Sequence, residues 1–242
     1  MATRCENCPL RKQPLFTSFS ADDVRFMQRF KVGEMSIDAG TPLLLEGSSS
    51  AQLFTVLSGM GLRYKTLENG RRQVINLIYP GDFLGLQAAI MQEMQHTVEA
   101  TTEMTLCVFD RSAFWDFFSS HPTRAFDVTW LAAVEEHFLG ATLATVGQRD
   151  ALSAIAWAVV TIFERAQLVG LADGFTVPFP FRQQDLADAL GLSLVHTNKT
   201  FAKLRERQLV SWQDGTLKLN DIRELRNIAG LHESEIRERP LM

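Results

Sequence analysis

Cysteine is scarce in this 242-residue sequence: there are three, an odd number. So small a set excludes a disulfide-stapled scaffold and leaves free thiols or metal ligands, as suits a reducing compartment. Long apolar runs are scarce too. The longest, "AIAWAVVTIF", falls far short of the roughly 20 residues that a bilayer-spanning helix needs, so no membrane partner is expected. Residues 1–12, "MATRCENCPLRK", lack the apolar core of a secretory signal, which points to a cytoplasmic protein. No P-loop, dinucleotide fingerprint, H-E-x-x-H or nucleophile elbow occurs, and the C-x-x-C of Cys5 and Cys8 has no βαβ unit beside it for thioredoxin-like chemistry. An enzyme is not expected.

An excess of positive charge is also missing. The net charge is −4, and that average argues mildly against a polyanion partner, because affinity for nucleic acid comes from clustered Lys and Arg. Between 181 and 210, however, Arg182, Lys199, Lys203, Arg205 and Arg207 face only Asp185, Asp188 and Glu206. A locally positive stretch sits inside an acidic chain.

What is present organises into two patterns. With 46% hydrophobic residues the chain can bury a substantial core. From about 30 to 110 short apolar runs are separated by Ser58-Gly59, Asn69-Gly70 and Pro80-Gly81-Asp82, the turn chemistry of hairpins. This reads as an antiparallel β-roll, or jelly roll, with either a packed interior or a pocket. After Pro122 the spacing becomes helical: Leu131, Val134, Phe138, Ala141 and Thr145 recur at steps of three and four. That stripe packs either on the chain's own β-roll, in competition with a second helix from about 150 to 169, or on a second copy of itself in a symmetric two-chain contact.

A loop with Gly170, Gly174, Pro178 and Pro180 precedes a small final domain. In it "QQDLADAL" forms one helix with Leu186, Ala187 and Leu190 inward, Gly191 bends the chain, and Ser193 caps a second helix. On that second helix Thr197, Thr200, Phe201 and Leu204 share the core face, Val195, Lys199, Ala202, Lys203 and Glu206 point away, and His196 and Asn198 flank them. "LVSWQDGTLKL" then supplies a hairpin turning at Asp214-Gly215. Two helices across a glycine turn, with a wing beside them, make a helix-turn-helix whose second helix fits the major groove. Asn, Lys and Val suit base edges, phosphates and a thymine methyl, so this face is expected to read double-stranded DNA.

These residues resemble the Crp/Fnr family of bacterial transcription regulators over nearly the whole chain. "ADDVRFMQRFKVGEMSIDAGTPLLLEG", "LFTVLSGMGLRYK", "YPGDFLGL" and "DLADALGLSLVHTNKTFAKLRERQLV" fall in the family's order. The resemblance implies an α+β chain with an N-terminal antiparallel β-roll (20–120) after a cysteine-bearing segment (1–19), a long central dimerisation helix (121–149) and a C-terminal winged helix-turn-helix (150–242). It implies a homodimer on a pseudo-palindromic site that contacts RNA polymerase. Gln183, Gln184, Ser193, Val195, His196, Asn198, Lys199 and Lys203 are the expected DNA-binding residues, with Val195 standing where many members carry a glutamate that accepts from cytosine. Cyclic AMP is not expected to bind: of the phosphate-holding Glu, Arg and Ser in the cyclic AMP receptor branch, the first place holds Phe83 and the others fall near Met94 and Gln95. A ligand-binding or interaction module that keeps the winged domain as a remnant is the rival reading.

Oxygen-sensing members that this chain resembles hold an iron-sulfur cluster through an N-terminal cysteine group and one cysteine in a late β-roll strand. Cys5, Cys8 and Cys107 occupy such places, and Pro14 stands where a further cysteine is usual. Three thiolates leave a fourth ligand to be found. Equally, Cys107 reads as a small core residue and the C-x-x-C as a thiol pair or a zinc half-site.

Overall fold

The computed structural model describes residues 2–232 and 238–242. The β-roll begins with α1 (Ala21–Phe30), whose start is fixed by a reciprocal cap: the Ser20 hydroxyl accepts the Asp23 amide while Asp23 accepts the Ser20 amide. Strands β1 (Lys31–Ile37), β2 (Pro42–Leu44), β3 (Gln52–Ser58), β4 (Gly61–Thr66), β5 (Arg72–Ile78) and β6 (Phe83–Leu84) follow. After a short helix, α2 (Leu86–Met91), come β7 (Thr97–Ala100) and β8 (Met104–Asp110). They form two four-stranded sheets, ordered β1-β8-β3-β6 and β2-β7-β4-β5. The expected turns are present, with Gly59, Gly70 and Gly81 all at positive φ.

Leu44, Phe54, Val56, Ile78, Leu84, Met94, Val98, Met104 and Leu106 fill the space between the sheets. Of the two interiors left open by the sequence, the packed one is observed. A second cluster is aromatic: Phe30, Phe83, Phe109, Phe114 and Phe117 bind α1 and α3 (Phe114–Ser120) to the roll, with Val128 and Leu131 of the next helix.

That helix, α4 (Pro122–Gln148), is followed by α5 (Ala151–Leu168), capped by Asp150. The chain divides into two compact units, one of Met1–Lys65, Asn76–Glu136 and Arg237–Met242, the other of Thr66–Ile75 and His137–Ile236. The last domain was expected to run to 242; instead Glu238–Met242 belong with the roll, because Pro240, Leu241 and Met242 are buried there.

Helix α5 corrects a second expectation. By length and composition alone it is apolar enough to cross a membrane, since its turns extend the "AIAWAVVTIF" run at both ends. Ten of its residues, among them Ile155, Val159, Val160 and Phe163, are buried within the protein, which makes it the core helix of the second unit. Around it lie β9 (Thr176–Pro178), α6 (Gln183–Leu190), α7 (Leu194–Glu206), β10 (Val210–Gln213), β11 (Thr216–Leu219) and α8 (Ile222–Ala229). The three strands form one sheet in the order β10-β11-β9. Trp212 of the wing packs edge-on against Phe201 of α7 and Phe179, which ties wing and helix into one small core.

Candidate nucleic-acid interface

Helices α6 and α7 meet at Gly191, which adopts φ 66° and returns its amide to the Ala187 carbonyl. A side chain there would be strained by that backbone, and its Cβ would lie 3.3 Å from Val146. Ser193 caps α7 by accepting the His196 amide at 3.2 Å. These two residues fix which side of α7 faces inward. Thr197, Thr200, Phe201 and Leu204 are buried, as the spacing requires. Val195 is 64% exposed, and His196, Asn198, Lys199 and Lys203 are exposed with it. The wing turns where expected, Asp214 and Gly215 both at positive φ between β10 and β11.

Gln183 and Gln184 open α6 and are exposed, and Gln184 donates to Asp188 at 2.6 Å. The residue before them was counted in the sequence only as one cation of the positive stretch, without a role of its own. The Arg182 side chain, 69% exposed, stands at the N-terminus of α6 and bonds Asp185, where a phosphate would meet both a guanidinium and free helix amides. Its position directly ahead of "QQD" was the available signal. Asp185 is buried and is held below the usual carboxylate range: burial pushes it up, but hydrogen bonds from the Arg182 side chain and backbone and the charge of Arg72 outweigh that. Arg72, at the start of β5, bonds Asp185 and reaches Asp188 at 3.2 Å, while Gln73 donates to the Ala189 carbonyl at 3.1 Å. Residues 66–75, which group with the second unit, are thus held on the first helix of the pair.

Residues 34–121 match the cyclic nucleotide-binding domain family and residues 155–228 the Crp-like helix-turn-helix domain family. The nitrogen fixation regulation protein FixK of Bradyrhizobium diazoefficiens is 28% identical over 90% of this chain and 90% of its own. The transcriptional activatory protein AadR of Rhodopseudomonas palustris is 31% identical over 74% of each chain. The chain belongs to the Crp/Fnr family of transcription regulators. Among solved structures, FixK2 from Bradyrhizobium japonicum has the same fold, with a TM-score of 0.72 and 20% identity over 84% of this chain and 98% of that one.

Of the two packings that the sequence left open for the α4 stripe, the one on the chain itself is observed. Leu131 and Thr145 are buried, and Phe138 stacks on Trp157 of α5 with ring centroids 6.2 Å apart. The stripe read from the sequence therefore faces the chain's own core. Rotated by one residue, Thr129, Ala132, Glu136, Leu139, Leu143 and Val146 recur at steps of three and four and are all exposed. Leu143 is 74% exposed and Leu139 45%.

The places that hold the cyclic phosphate in the cyclic AMP receptor branch carry other chemistry. Phe83 lies in the aromatic cluster, Met94 in the packed roll interior, and Gln95 on the surface. Arg63, in the same unit, is engaged at 3.1 Å with Glu135 of α4, which also accepts from Asn76 at 3.1 Å.

Cys5, Cys8 and Cys107 do converge. All three line one cavity of about 30 Å³ with Lys31, Thr55, Phe109, Leu241 and Met242, a space the size of one water molecule. The Cys107 thiol is pushed up to about 11 by burial, against the opposing charge of Lys31, and burial raises Cys5 as well. Among the described residues no group of three or more His, Cys, Asp or Glu side chains is placed to hold a metal ion. Three thiols in a cavity this small, two of them pushed up by burial, beside an ammonium and with no fourth ligand among the described residues, do not fit an iron-sulfur cluster.

Proposed function

We propose that two copies of this Crp/Fnr regulator pair through the exposed stripe Leu139, Leu143 and Val146 of α4 and place two α7 helices in successive major grooves of a pseudo-palindromic DNA site. Half-sites about one helical turn apart follow from that symmetry. Asn198 and His196 contact base edges or adjacent phosphates, Lys199 a guanine or a phosphate, and Lys203 the backbone. Val195 meets a thymine methyl where a glutamate would have accepted from cytosine. Gln183, Gln184 and Ser193, with Arg182, hold the phosphates beside α6 and α7. The bound dimer works in the cytoplasm, contacts RNA polymerase, and performs no catalysis.

One observation carries this reading. A helix whose inward residues Thr197, Thr200, Phe201 and Leu204 are buried presents an outward row of apolar, hydrogen-bonding and cationic side chains from Val195 to Lys203, with the acidic Glu206 only at its last residue. Selection of binding sites from random duplex DNA, followed by titration at several salt concentrations, tests it. The expected result is a two-fold symmetric consensus with a steep salt dependence. Binding without sequence preference would leave the interaction-module reading instead. Phe83, Met94 and Gln95 support a roll that does not take cyclic AMP, and calorimetry on the dimer showing micromolar binding would overturn that.

A further inference from the structure

Residues 238–242, Glu-Arg-Pro-Leu-Met, do not follow α8 and its neighbours; they lie on the β-roll unit. The backbone of Arg239 bridges the Leu15–Thr17 segment in parallel: its amide donates to the Leu15 carbonyl at 2.7 Å, and its carbonyl accepts the Thr17 amide at 3.0 Å. The Arg239 side chain donates to buried Asp82 at 3.3 Å, and the Thr55 hydroxyl donates to the Met242 carbonyl. Pro240, Leu241 and Met242 are buried, the last two against the cavity that Cys5, Cys8 and Cys107 share.

The receiving surface is built for this. Phe16 lies so close over Gly81, at φ 90°, that a Cβ there would sit 2.1 Å from its ring, so only glycine lets residues 15–17 settle on the Pro80–Asp82 turn and offer their backbone. Main-chain pairing along one edge, an acidic pocket for one side chain and an apolar pocket for the next ones are the parts of a β-augmentation site. Proline within the ligand loses nothing, because Arg239 alone supplies the paired amide.

We propose that this face of the β-roll is a peptide-binding groove whose ligand is the chain's own segment 239–242, and that its occupancy sets how far Cys5 and Cys107, part-buried with the segment in place, are open to solvent. The groove takes an extended peptide with arginine followed by proline and two apolar residues. Because residues 150–230 carry the helix-turn-helix, the DNA-reading segment is flanked on one side by α4 and on the other by this strap, and both lead back to the roll.

The test has two arms. In the intact protein, hydrogen exchange at the Thr17 and Arg239 amides is expected to be slowed at least about a hundredfold relative to an unstructured chain; exchange at the unstructured rate overturns the proposal without any substitution. In the second, N-ethylmaleimide labelling followed by mass spectrometry compares the native chain with Arg239→Ala and Leu241→Asp. Labelling of Cys107 is expected to quicken at least about tenfold, and a synthetic Glu-Arg-Pro-Leu-Met peptide should slow it again in Leu241→Asp. Equal rates in all three proteins overturn the proposal. So does quickened labelling that the peptide fails to slow, since the substitutions would then act by loosening the roll.

Discussion

Helices α4 and α5 are both rich in apolar residues, yet they stand in opposite relations to the rest of the chain. Helix α5 is surrounded by α7, α8 and the small sheet, and its apolar side chains find their partners there. Helix α4 turns one stripe inward, through Leu131, Phe138 and Thr145, and leaves a second one, through Leu139, Leu143 and Val146, in the open. The difference teaches that an apolar helix is not a core helix by composition; what counts is whether the fold supplies a neighbour for each face. Helix α7 extends the contrast, because its outward face is unpartnered too but polar and cationic. On the proposed function, the first of these faces would meet another copy of the protein and the second a polyanion.

The sharpest way to break this comparison is to place a charge in α5. Val159 is fully buried, and Val159→Asp is expected to destabilise the second unit by about 3–5 kcal/mol, the cost of an uncompensated buried charge. Urea denaturation followed by tryptophan fluorescence measures it; a loss under about 1 kcal/mol would mean that α5 is not the core helix described. The same charge on α4 should behave differently. Leu143→Glu is expected to leave the thermal midpoint of the chain nearly unchanged while weakening self-association on the order of 30-fold or more, as at an interface hot spot. Analytical ultracentrifugation reads both states, and a dimer of native affinity would remove this stripe from the interface.

A smaller effect is expected on α7. Lys199→Ala should weaken binding to the selected DNA site roughly tenfold at moderate salt and lower the salt slope by about one, without changing stability. Unchanged affinity would take Lys199 off the groove face.

The smallest effect concerns the half of α4 that belongs to the roll unit. Burial, with the charge of Arg63 added, holds His96 down from 6.5 to about 4, while Glu135, Glu46 and Lys65 also face it and partly offset each other. A depressed histidine is protonated first in the unfolded chain, so its contribution is full above pH 6.5 and is lost as pH falls toward 4. His96→Gln is therefore expected to flatten the fall in urea midpoint between pH 7 and pH 5. Asp23, Glu34 and Asp185, whose folded values are also lowered, continue to lose stability further down. A pH dependence identical to that of the native protein would mean that His96 is not held neutral.

The parts of the molecule that could be read from the sequence are those governed by local rules. The inward face of α7 follows from spacing alone, and the wing from Asp214-Gly215, which a two-residue hairpin turn demands. Which stripe of α4 the chain itself would cover was not legible, because the helix carries two series at steps of three and four, 131-134-138-141-145 and 132-136-139-143-146, the second interrupted by Glu136, and periodicity cannot say which of them finds a neighbour. The cysteines illustrate a further limit: their meeting in one cavity is a matter of tertiary placement, and so are the small volume and the neighbouring ammonium that make the place unsuited to a cluster. The docking of 238–242 left no trace in pattern either, since five residues have no period and their partners lie more than 150 positions away.

The pairing of Arg72 and Arg182 on Asp185 has a consequence for the encounter with DNA. A carboxylate sunk this deep would resist losing its sole counterion, and a lone arginine committed to it would be poorly available to anything else. With two, the proposed function would let the solvent-facing guanidinium of Arg182 turn to a passing phosphodiester while that of Arg72 keeps the buried anion paired.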